Sequence, residues 1–333
     1  MARPRSAHVI EVKAALAARL RSGFAAPGGR FLSARAVAQR FAVSYQTAHR
    51  LLAELEQEDL LRRKPASGSY LPGRPLALRG VQLVLHARAK RKGSFGARLH
   101  ELLEAELAAR DIAVARSWPK AGGAPAMRAD HFPVIWECRR AVEAAVRARR
   151  FALCLNERPP PGLGSGYVDA VTTDDFSGGA CAAELLKERT DRSKGFVVLG
   201  GPEDDARCLQ RVAGFRAHAA DTRVIHAESW YVEAGIARAQ AILDLDPLGI
   251  FACNDRLAQA VIEFHRARGR KLPPLVGFDN APIAERLRLT TIGIPWSEMV
   301  KHAAERIVAR LQGSTAAGRL TVLTHEPVVR LTC

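Results

Sequence analysis

Apolar residues recur at intervals of three and four positions near the start of the chain, which predicts an amphipathic helix. This apolar face comprises Val9, Val12, Leu16 and Leu20. Pro27-Gly28-Gly29 would end that helix, and Ser33 and Ser44 are then suited to cap two shorter helices. Apolar pairs in 60–63 and 70–71 predict a short hairpin. The order of helix, helix, turn, helix and hairpin indicates a winged helix-turn-helix in residues 1–72.

Beyond a Pro- and Gly-containing break at residues 71–75, apolar runs alternate with amphipathic stretches. The runs predict strands at 81–85, 112–115, 134–136, 151–155, 196–199, 224–226, 249–252 and 275–278. The stretches between them predict helices at 97–109, 138–149, 178–189, 207–220, 232–244 and 255–268. Repeated strand–helix–strand units favour an α/β fold with two parallel sheets. We therefore predict a head at 1–72, a linker at 73–80 and a two-subdomain α/β effector domain at 81–333.

Charge is distributed unevenly over the 333 residues. Residues 1–79 hold 14 Lys and Arg against 5 Asp and Glu, whereas the other 254 residues hold 36 against 29. Such a concentration in one small domain indicates a polyanionic partner, although a high overall arginine content also explains part of it. Six scattered cysteines without a C-x-x-C pair argue against a zinc ribbon or a disulfide scaffold. With no membrane-length apolar run and no secretory segment, we expect a cytoplasmic protein without a membrane partner.

Hydrogen-bonding side chains gather at the start of the third predicted helix, as in a helix that reads the major groove. Together with the preceding helix and the hairpin, they form the candidate DNA-binding set of Ser33, Arg35, Ser44, Tyr45, Gln46, Thr47, His49, Arg50, Lys64 and Gly68. The alternative is a solvated helix face beside a hairpin that serves only for packing.

This region resembles the GntR-type winged helix-turn-helix. The resemblance is carried by PGGRFLSARAVA at 27–38, FAVSYQTAHR at 41–50 and SGSYL at 67–71. It implies that Arg35, Tyr45, Thr47, His49 and Gly68 occupy positions that contact operator DNA. Tyr45 and His49 replace arginines of the family pattern, so the family's base preference does not transfer to this chain.

The remainder resembles the periplasmic-binding-protein-like effector domain of LacI-type regulators. Five stretches in the family's order carry this likeness: VTTDDFSGGA at 171–180, RVAGF at 211–215, ACND at 252–255, VGFDN at 276–280 and LTTI at 289–292. The tail EPVVRLTC at 326–333 is similar to the family's closing strand. The resemblance implies a two-lobed domain, a small sugar as effector, and a homodimer.

Ligands of open α/β sheets bind beyond the carboxyl ends of strands, and sugars need hydrogen-bonding groups and an aromatic plane. Strand-end placement and the family pattern together give the candidate effector-binding residues Phe95, Asp174, Arg211, Trp230, Asn254, Asp255 and Asp279. Each has a structural alternative: helix caps for Asp174, Asp255 and Asp279, core packing for the two aromatic residues, and an ion pair for Arg211.

We predict a transcriptional regulator, in particular a repressor of carbohydrate-utilisation genes, that binds double-stranded operator DNA and a carbohydrate effector. An activator with the same domains remains an alternative. A head fused to an aminotransferase-like or hydrolase enzyme is disfavoured, because too few residues remain and no nucleophile, metal-ligand or P-loop motif is evident. We therefore predict no catalytic residue, no metal and no cofactor.

Overall fold

The computed structural model describes residues 7–21, 29–58, 60–64, 67–71, 78–119, 126–159, 165–190 and 195–333. The predicted helix stop at Pro27-Gly28 and residues 73–77 of the predicted linker lie outside these ranges. The chain divides into two compact units. Unit 1 comprises Met1–Thr172 and Ser297–Thr321, and unit 2 comprises Thr173–Trp296 and Val322–Cys333.

The N-terminal part of unit 1 has three helices followed by a two-stranded antiparallel hairpin. These are α1 (Ala7–Arg21), α2 (Ala34–Arg40), α3 (Tyr45–Gln57), β1 (Arg62–Lys64) and β2 (Gly68–Tyr70). Helix α3 buries Ala48, Leu51, Leu52 and Leu55 on one face, because this spacing of three and four places them on a single stripe. They pack with Leu16 and Leu20 of α1 in one apolar core.

The rest of unit 1 is built on a six-stranded sheet. Its elements are β3 (Gly80–Leu85), α4 (Phe95–Ala108), β4 (Val114–Ser117), β5 (His131–Trp136), α5 (Arg139–Arg147), β6 (Ala152–Leu155), β7 (Val168–Thr173) and β13 (Leu320–Leu323), with short 3₁₀ turns at Ala87–Lys90 and Ser165–Tyr167. The strand order is β13-β7-β6-β5-β3-β4, and the pairs from β7 to β4 are parallel. Strands β3 and β5 are buried along their whole length, as parallel strands covered on both faces are.

Unit 2 contains a second six-stranded sheet. Its elements are α6 (Asp175–Glu188), β8 (Phe196–Gly200), α7 (Ala206–His218), β9 (Thr222–His226), α8 (Val232–Asp244), β10 (Gly249–Ala252), α9 (Asp255–Ala267), β11 (Leu275–Asp279), α10 (Pro282–Arg286), β12 (Thr290–Gly293) and β14 (Glu326–Val328). The strand order is β14-β12-β11-β10-β8-β9, and only the pairing of β14 with β12 is antiparallel. The prediction of an α/β fold with two parallel-sheet subdomains is therefore confirmed.

Element bounds differ from the sequence predictions at particular places. Helix α6 begins at Asp175 rather than 178, because Asp174 accepts the Ser177 N–H and so caps the helix before its two glycines. The strand expected at 112–115 lies at Val114–Ser117. Helix α11 (Trp296–Leu311) and strands β7, β12 and β13 were not among the predicted elements.

Two glycines allow α6 and α7 to pack with their backbones in contact. A Cβ on Gly179 would overlap the carbonyl of Arg211, and a Cβ on Gly214 would overlap the carbonyl of Phe176. Larger residues at either position would therefore force the two helices apart. This close approach fixes the starting point of the Arg211 side chain.

We expect Gly214→Ala to lower the free energy of unfolding by about 1–3 kcal/mol, because its methyl group meets backbone atoms that cannot rotate away. Urea denaturation would measure the loss. Ala213→Ser, at the exposed neighbouring position of α7, is the matched control and should change the unfolding free energy by less than about 0.5 kcal/mol. Equal stabilities of the two variants would contradict the importance of the glycine contact.

Candidate functional site

The parallel strands of unit 2 bring their carboxyl ends to one edge of the sheet. The chain runs from β8 outward to β9 and then returns to the other side of β8 to form β10. Open α/β sheets bind ligands at such a reversal of strand order. The segments that follow β8, β10 and β11 supply Asp205, Asn254 and Asp279 at this edge.

Arg211 is the centre of the side-chain network here, and only 4% of its side chain is exposed. Its Nε donates to Asp175 Oδ1 over 2.7 Å, and its Nη1 donates to the Cys253 carbonyl over 2.6 Å and to Asp279 Oδ1 over 3.5 Å. The guanidinium carbon lies 3.7 Å from the centre of the Phe278 ring, a cation–π contact. The buried charge is thus held by two carboxylates, a carbonyl and an aromatic face.

Trp230 is fixed beside this network by its neighbours. Its Nε1 donates to Asp205 Oδ2 over 3.1 Å, and its carbonyl accepts from Asn254 Nδ2 over 3.0 Å. The ring lies 5.8 Å from the Arg211 guanidinium carbon and covers Gly201, where a side chain would collide with the indole. Trp230 is half-buried, so the arrangement presents an oriented aromatic ring next to hydrogen-bonding groups.

Burial and neighbouring charges shift two carboxylates in opposite directions. Burial raises the pKa of Asp279 to about 6, although Arg211 opposes the shift. Burial alone would raise the pKa of Asp205 as well, but the charge and hydrogen bond of Arg207, with the bond from Trp230, lower it to about 2. Burial also lowers the pKa of His325 to about 4, so its ring is neutral at pH 7. Of the two carboxylates Asp279 and Asp205, Asp279 is therefore the one whose charge changes nearer to neutral pH.

The structure brings Arg211, Trp230, Asn254 and Asp279 into one contact network, whereas three other predicted residues have different surroundings. Asp174 is the N-cap of α6 and also accepts from the Ser177 hydroxyl over 2.7 Å. Phe95 is the first residue of α4, in unit 1.

Asp255 is 1% exposed and is not hydrogen-bonded to Arg211, and its role as a ligand-binding residue stays a prediction. Its carboxylate accepts from the Thr291 hydroxyl and from the Ala281 N–H, each over 2.6 Å, and so joins α9 to β12 and to the start of α10. Nor is Asp255 the helix cap considered as its alternative, because Asn254 accepts the Leu257 N–H.

Sequence reasoning missed Asp175, Asp205 and Phe278, which contact the predicted residues directly. Asp175 shares the buried face of α6 with Gly178, Gly179 and Ala182. That spacing of three and four was a readable signal for an inward-facing carboxylate. Asp205 caps α7 by accepting the Arg207 and Cys208 N–H groups. An aspartate directly before a predicted helix is the sequence signal for this role.

In the head, α3 presents its first turn to solvent. The Ser44 hydroxyl accepts the Thr47 N–H over 3.1 Å and lies 2.9 Å from the Thr47 hydroxyl, so both side chains serve the cap. Tyr45 is 54% exposed, and Gln46 and Arg50 are also exposed. At the start of α2, Ser33 caps the helix by accepting the Ala36 N–H, and Arg35 is exposed.

The hairpin is connected to α3 through side chains. The Arg63 guanidinium donates to His49 Nε2 over 2.5 Å, and the Lys64 ammonium lies 5.0 Å from the centre of the Tyr70 ring. Gly68 has φ +122°, which L side chains rarely adopt, and its α-carbon lies beside the Arg30 guanidinium. Arg63 therefore links the hairpin to α3, and Lys64 and Arg30 are two further cations on and beside the hairpin.

Within the part of the chain that the structure describes, no helix is long and apolar enough to cross a membrane. Among the same residues, no group of three or more His, Cys, Asp or Glu side chains is arranged to hold a metal ion.

The sequence pattern of the periplasmic binding protein-like domain family matches residues 183–333. Over these 151 residues the chain is similar to a periplasmic binding protein-like domain. The HTH-type transcriptional repressor PurR of Vibrio campbellii is 27% identical over 181 residues, covering 50% of this chain and 54% of that protein. The HTH-type transcriptional regulator DegA of Bacillus subtilis is 33% identical over 175 residues, covering 49% and 51%. The chain thus spans about half the length of the curated relatives it matches.

Solved structures share the fold at low sequence identity. A ribose-bound LacI family transcriptional regulator from Enterococcus faecalis has a TM-score of 0.64 and 22% identity, over 75% of this chain and 98% of that chain. The complex of the transcriptional regulator CelR with cellobiose has a TM-score of 0.64 and 19% identity, over 99% and 100%. These likenesses establish the architecture of the periplasmic-binding-protein-like domain.

We expect Asp279→Asn to stabilise this domain at pH 7.5 but not at pH 4. As pH rises from about 4 to about 6, folded Asp279 still holds a proton that the unfolded chain has released, so unfolding becomes easier. A shift of about two units corresponds to roughly 2–3 kcal/mol at pH 7.5. Urea denaturation across this pH range would measure the difference, with exposed Asp204→Asn as the control. If the difference in unfolding free energy between wild type and Asp279→Asn is the same at pH 4 and pH 7.5, the pKa of Asp279 is not raised in the folded protein.

Proposed function

We propose that the protein is a DNA-binding transcriptional regulator, in particular a repressor of carbohydrate-utilisation genes, controlled by a small sugar or sugar derivative. The observation that carries this proposal is a basic helix–hairpin head on the same chain as a periplasmic-binding-protein-like domain. The two curated relatives support it, because their names identify a repressor and a regulator of the HTH type. The proposal requires one DNA site and one effector site.

The DNA site is the first turn of α3 with the start of α2 and the hairpin, which we interpret as a GntR-type winged helix-turn-helix. Three features support this interpretation: the exposure of Arg35, Tyr45 and Gln46, the caps at Ser33 and Ser44, and the excess of basic residues. A helix that enters the major groove reads base edges from its N-terminal turns, where Gln46 is suited to adenine. The cations of the hairpin are suited to phosphate contacts, which give affinity without sequence preference.

The effector site is the network of Arg211, Trp230, Asn254 and Asp279 in unit 2. It combines an aromatic face for the apolar side of a sugar ring with carboxylate acceptors and amide and guanidinium groups for hydroxyls. The titles of two structural neighbours name bound ribose and cellobiose, which makes these sugars sensible first probes. Phe95 remains a further candidate contact, carried over from the family resemblance alone.

Regulation follows if the sugar prefers one of two conformations of the protein and DNA prefers the other. We propose a cytoplasmic homodimer, because one head of this size contacts few base pairs and two heads on a palindrome increase affinity. The mechanism uses neither a cofactor nor a catalytic residue. A membrane partner is not part of it.

The probe is a DNA duplex that the wild-type protein selects from a random pool. We expect Arg35→Ala to weaken binding to this duplex by about 1–3 kcal/mol, on the order of tenfold or more in Kd. Fluorescence anisotropy would measure this. Arg40→Ala removes the same charge from the last turn of α2, where Arg40 is also exposed, and should cost much less. Equal losses would mean that Arg35 acts only through charge. A wild-type affinity insensitive to salt would contradict DNA binding through these cations.

The ligand for this test is the sugar that stabilises the wild-type protein most in a thermal-shift panel that includes D-ribose and cellobiose. We expect Trp230→Ala to weaken binding of that sugar by about tenfold, because the aromatic face is lost. Titration calorimetry would measure the Kd. Ile236→Ala removes an exposed apolar side chain from the adjoining helix α8 and should leave the Kd unchanged. If no sugar of the panel binds, or if both variants bind like wild type, this effector site is wrong.

A further inference from the structure

Two buried cysteines lie on one face of the unit 2 sheet, next to the residues of the proposed effector site. Cys208 is in the first turn of α7, Cys253 follows β10 directly, and both are 0% exposed. The Cys208 sulfur lies 3.8 Å from His226 Nδ1 and 3.7 Å from the Gly201 carbonyl oxygen, and a Cβ on Gly200 would lie 3.0 Å from it. The N–H of Cys253 donates to the Leu199 carbonyl over 2.9 Å and continues the parallel pairing of β10 with β8, so the Cys253 side chain points to the same face of the sheet as a Cβ on Gly200 would. Three strand ends and one helix start thus bring the two thiols to one place.

The surroundings prepare one of the two thiols for reaction. A hydrogen bond with Cys253 and the electrostatic effect of His226 lower the pKa of Cys208 to about 7, although burial opposes this shift. Burial raises the pKa of Cys138 in unit 1 to about 12. Because the thiolate is the nucleophile, this lower pKa favours Cys208 over Cys138 as the thiol that attacks an oxidant near neutral pH. His226 is half-buried, so the pair adjoins a partly exposed side chain rather than a sealed core.

Both cysteines are also bound to the residues that hold the effector site together. The carbonyl of Cys253 accepts from Arg211 over 2.6 Å. The N–H of Cys208 donates to Asp205 over 3.3 Å, and Asp205 in turn accepts the indole N–H of Trp230. A covalent link between the sulfurs would therefore act on Arg211 from one side and on Trp230 from the other.

We propose that Cys208 and Cys253 are an oxidation site that closes to an intramolecular disulfide in the presence of a hydroperoxide and thereby changes the surroundings of Trp230. The Cys208 thiolate attacks one oxygen of hydrogen peroxide, the O–O bond breaks, and the hydroxide that leaves takes up a proton, so that a sulfenic acid and water form. The Cys253 sulfur then attacks the sulfenyl sulfur, and a second water leaves. Two thiols are oxidised and one peroxide is reduced, and a low-molecular-weight thiol reverses the reaction by exchange. Only the regulatory consequence of this chemistry rests on the proposed function.

The test treats the full-length reduced protein with a small excess of hydrogen peroxide. Mass spectrometry after proteolysis without reduction should find one cross-linked peptide that joins Cys208 and Cys253, lighter than the reduced pair by two hydrogen atoms. Tryptophan emission should change on oxidation and return with dithiothreitol, and Trp230→Phe should abolish most of that change. The midpoint of thermal unfolding should shift by roughly a few degrees.

Matched variants separate this pair from the other cysteines. Cys208→Ser and Cys253→Ser should each lose the cross-link and the emission change, whereas Cys138→Ser should keep both. Absence of the cross-link in wild type, or its formation without any change in Trp230 emission, would overturn the proposal. None of these readouts uses DNA or a sugar, so the proposal can fail while the proposed function stands, and the reverse also holds.

Discussion

The buried charge of Arg211 constrains much of unit 2. A guanidinium that is 4% exposed must be neutralised and hydrogen-bonded where it lies, because water cannot reach it. Its partners come from the start of α6, the end of β10 and the end of β11, so their relative positions are set by one side chain. The close contact of α6 and α7 at Gly179 and Gly214 fixes the position of the Arg211 backbone. Removing Arg211 would therefore leave Asp175 and Asp279 buried without their cation.

The same network contains an energetically unfavourable residue, Asp279, at the proposed effector site. Asp279 keeps a raised pKa even beside Arg211, and its backbone has φ +106°, followed by +48° at Asn280. Unfavourable ionisation and unusual dihedral angles persist only where the surrounding structure enforces them, and they gather at functional sites. A ligand whose hydroxyls donate to Asp279 would satisfy the carboxylate and recover part of this cost. We interpret the strain as preparation for binding.

Local patterns predicted the elements best where a strand or helix is bounded by its own residues. The bounds of β10 and α8 were predicted as observed, whereas α6 was predicted to begin at 178, four residues after the Asp174 that caps it. Within the candidate site, strand-end position suggested Asp279 and Asp255 equally, but Asp279 bonds to Arg211 whereas Asp255 bonds to Thr291 and Ala281. The partners of Asp279 and Asp255 are distant from them in sequence, so a single sequence does not show which of these carboxylates contacts Arg211.

The head illustrates the same dependence on contacts across elements. Tyr45 and His49 replace arginines of the GntR pattern, but the replacements have different surroundings. Tyr45 is exposed, whereas His49 accepts a hydrogen bond from Arg63 of the hairpin. An arginine at position 49 could not accept that bond and would repel Arg63. The substitution thus exchanges a cation on α3 for a link between α3 and the hairpin. In the DNA site that we propose, base readout would therefore depend more on Tyr45 and Gln46 than on arginine contacts to guanine.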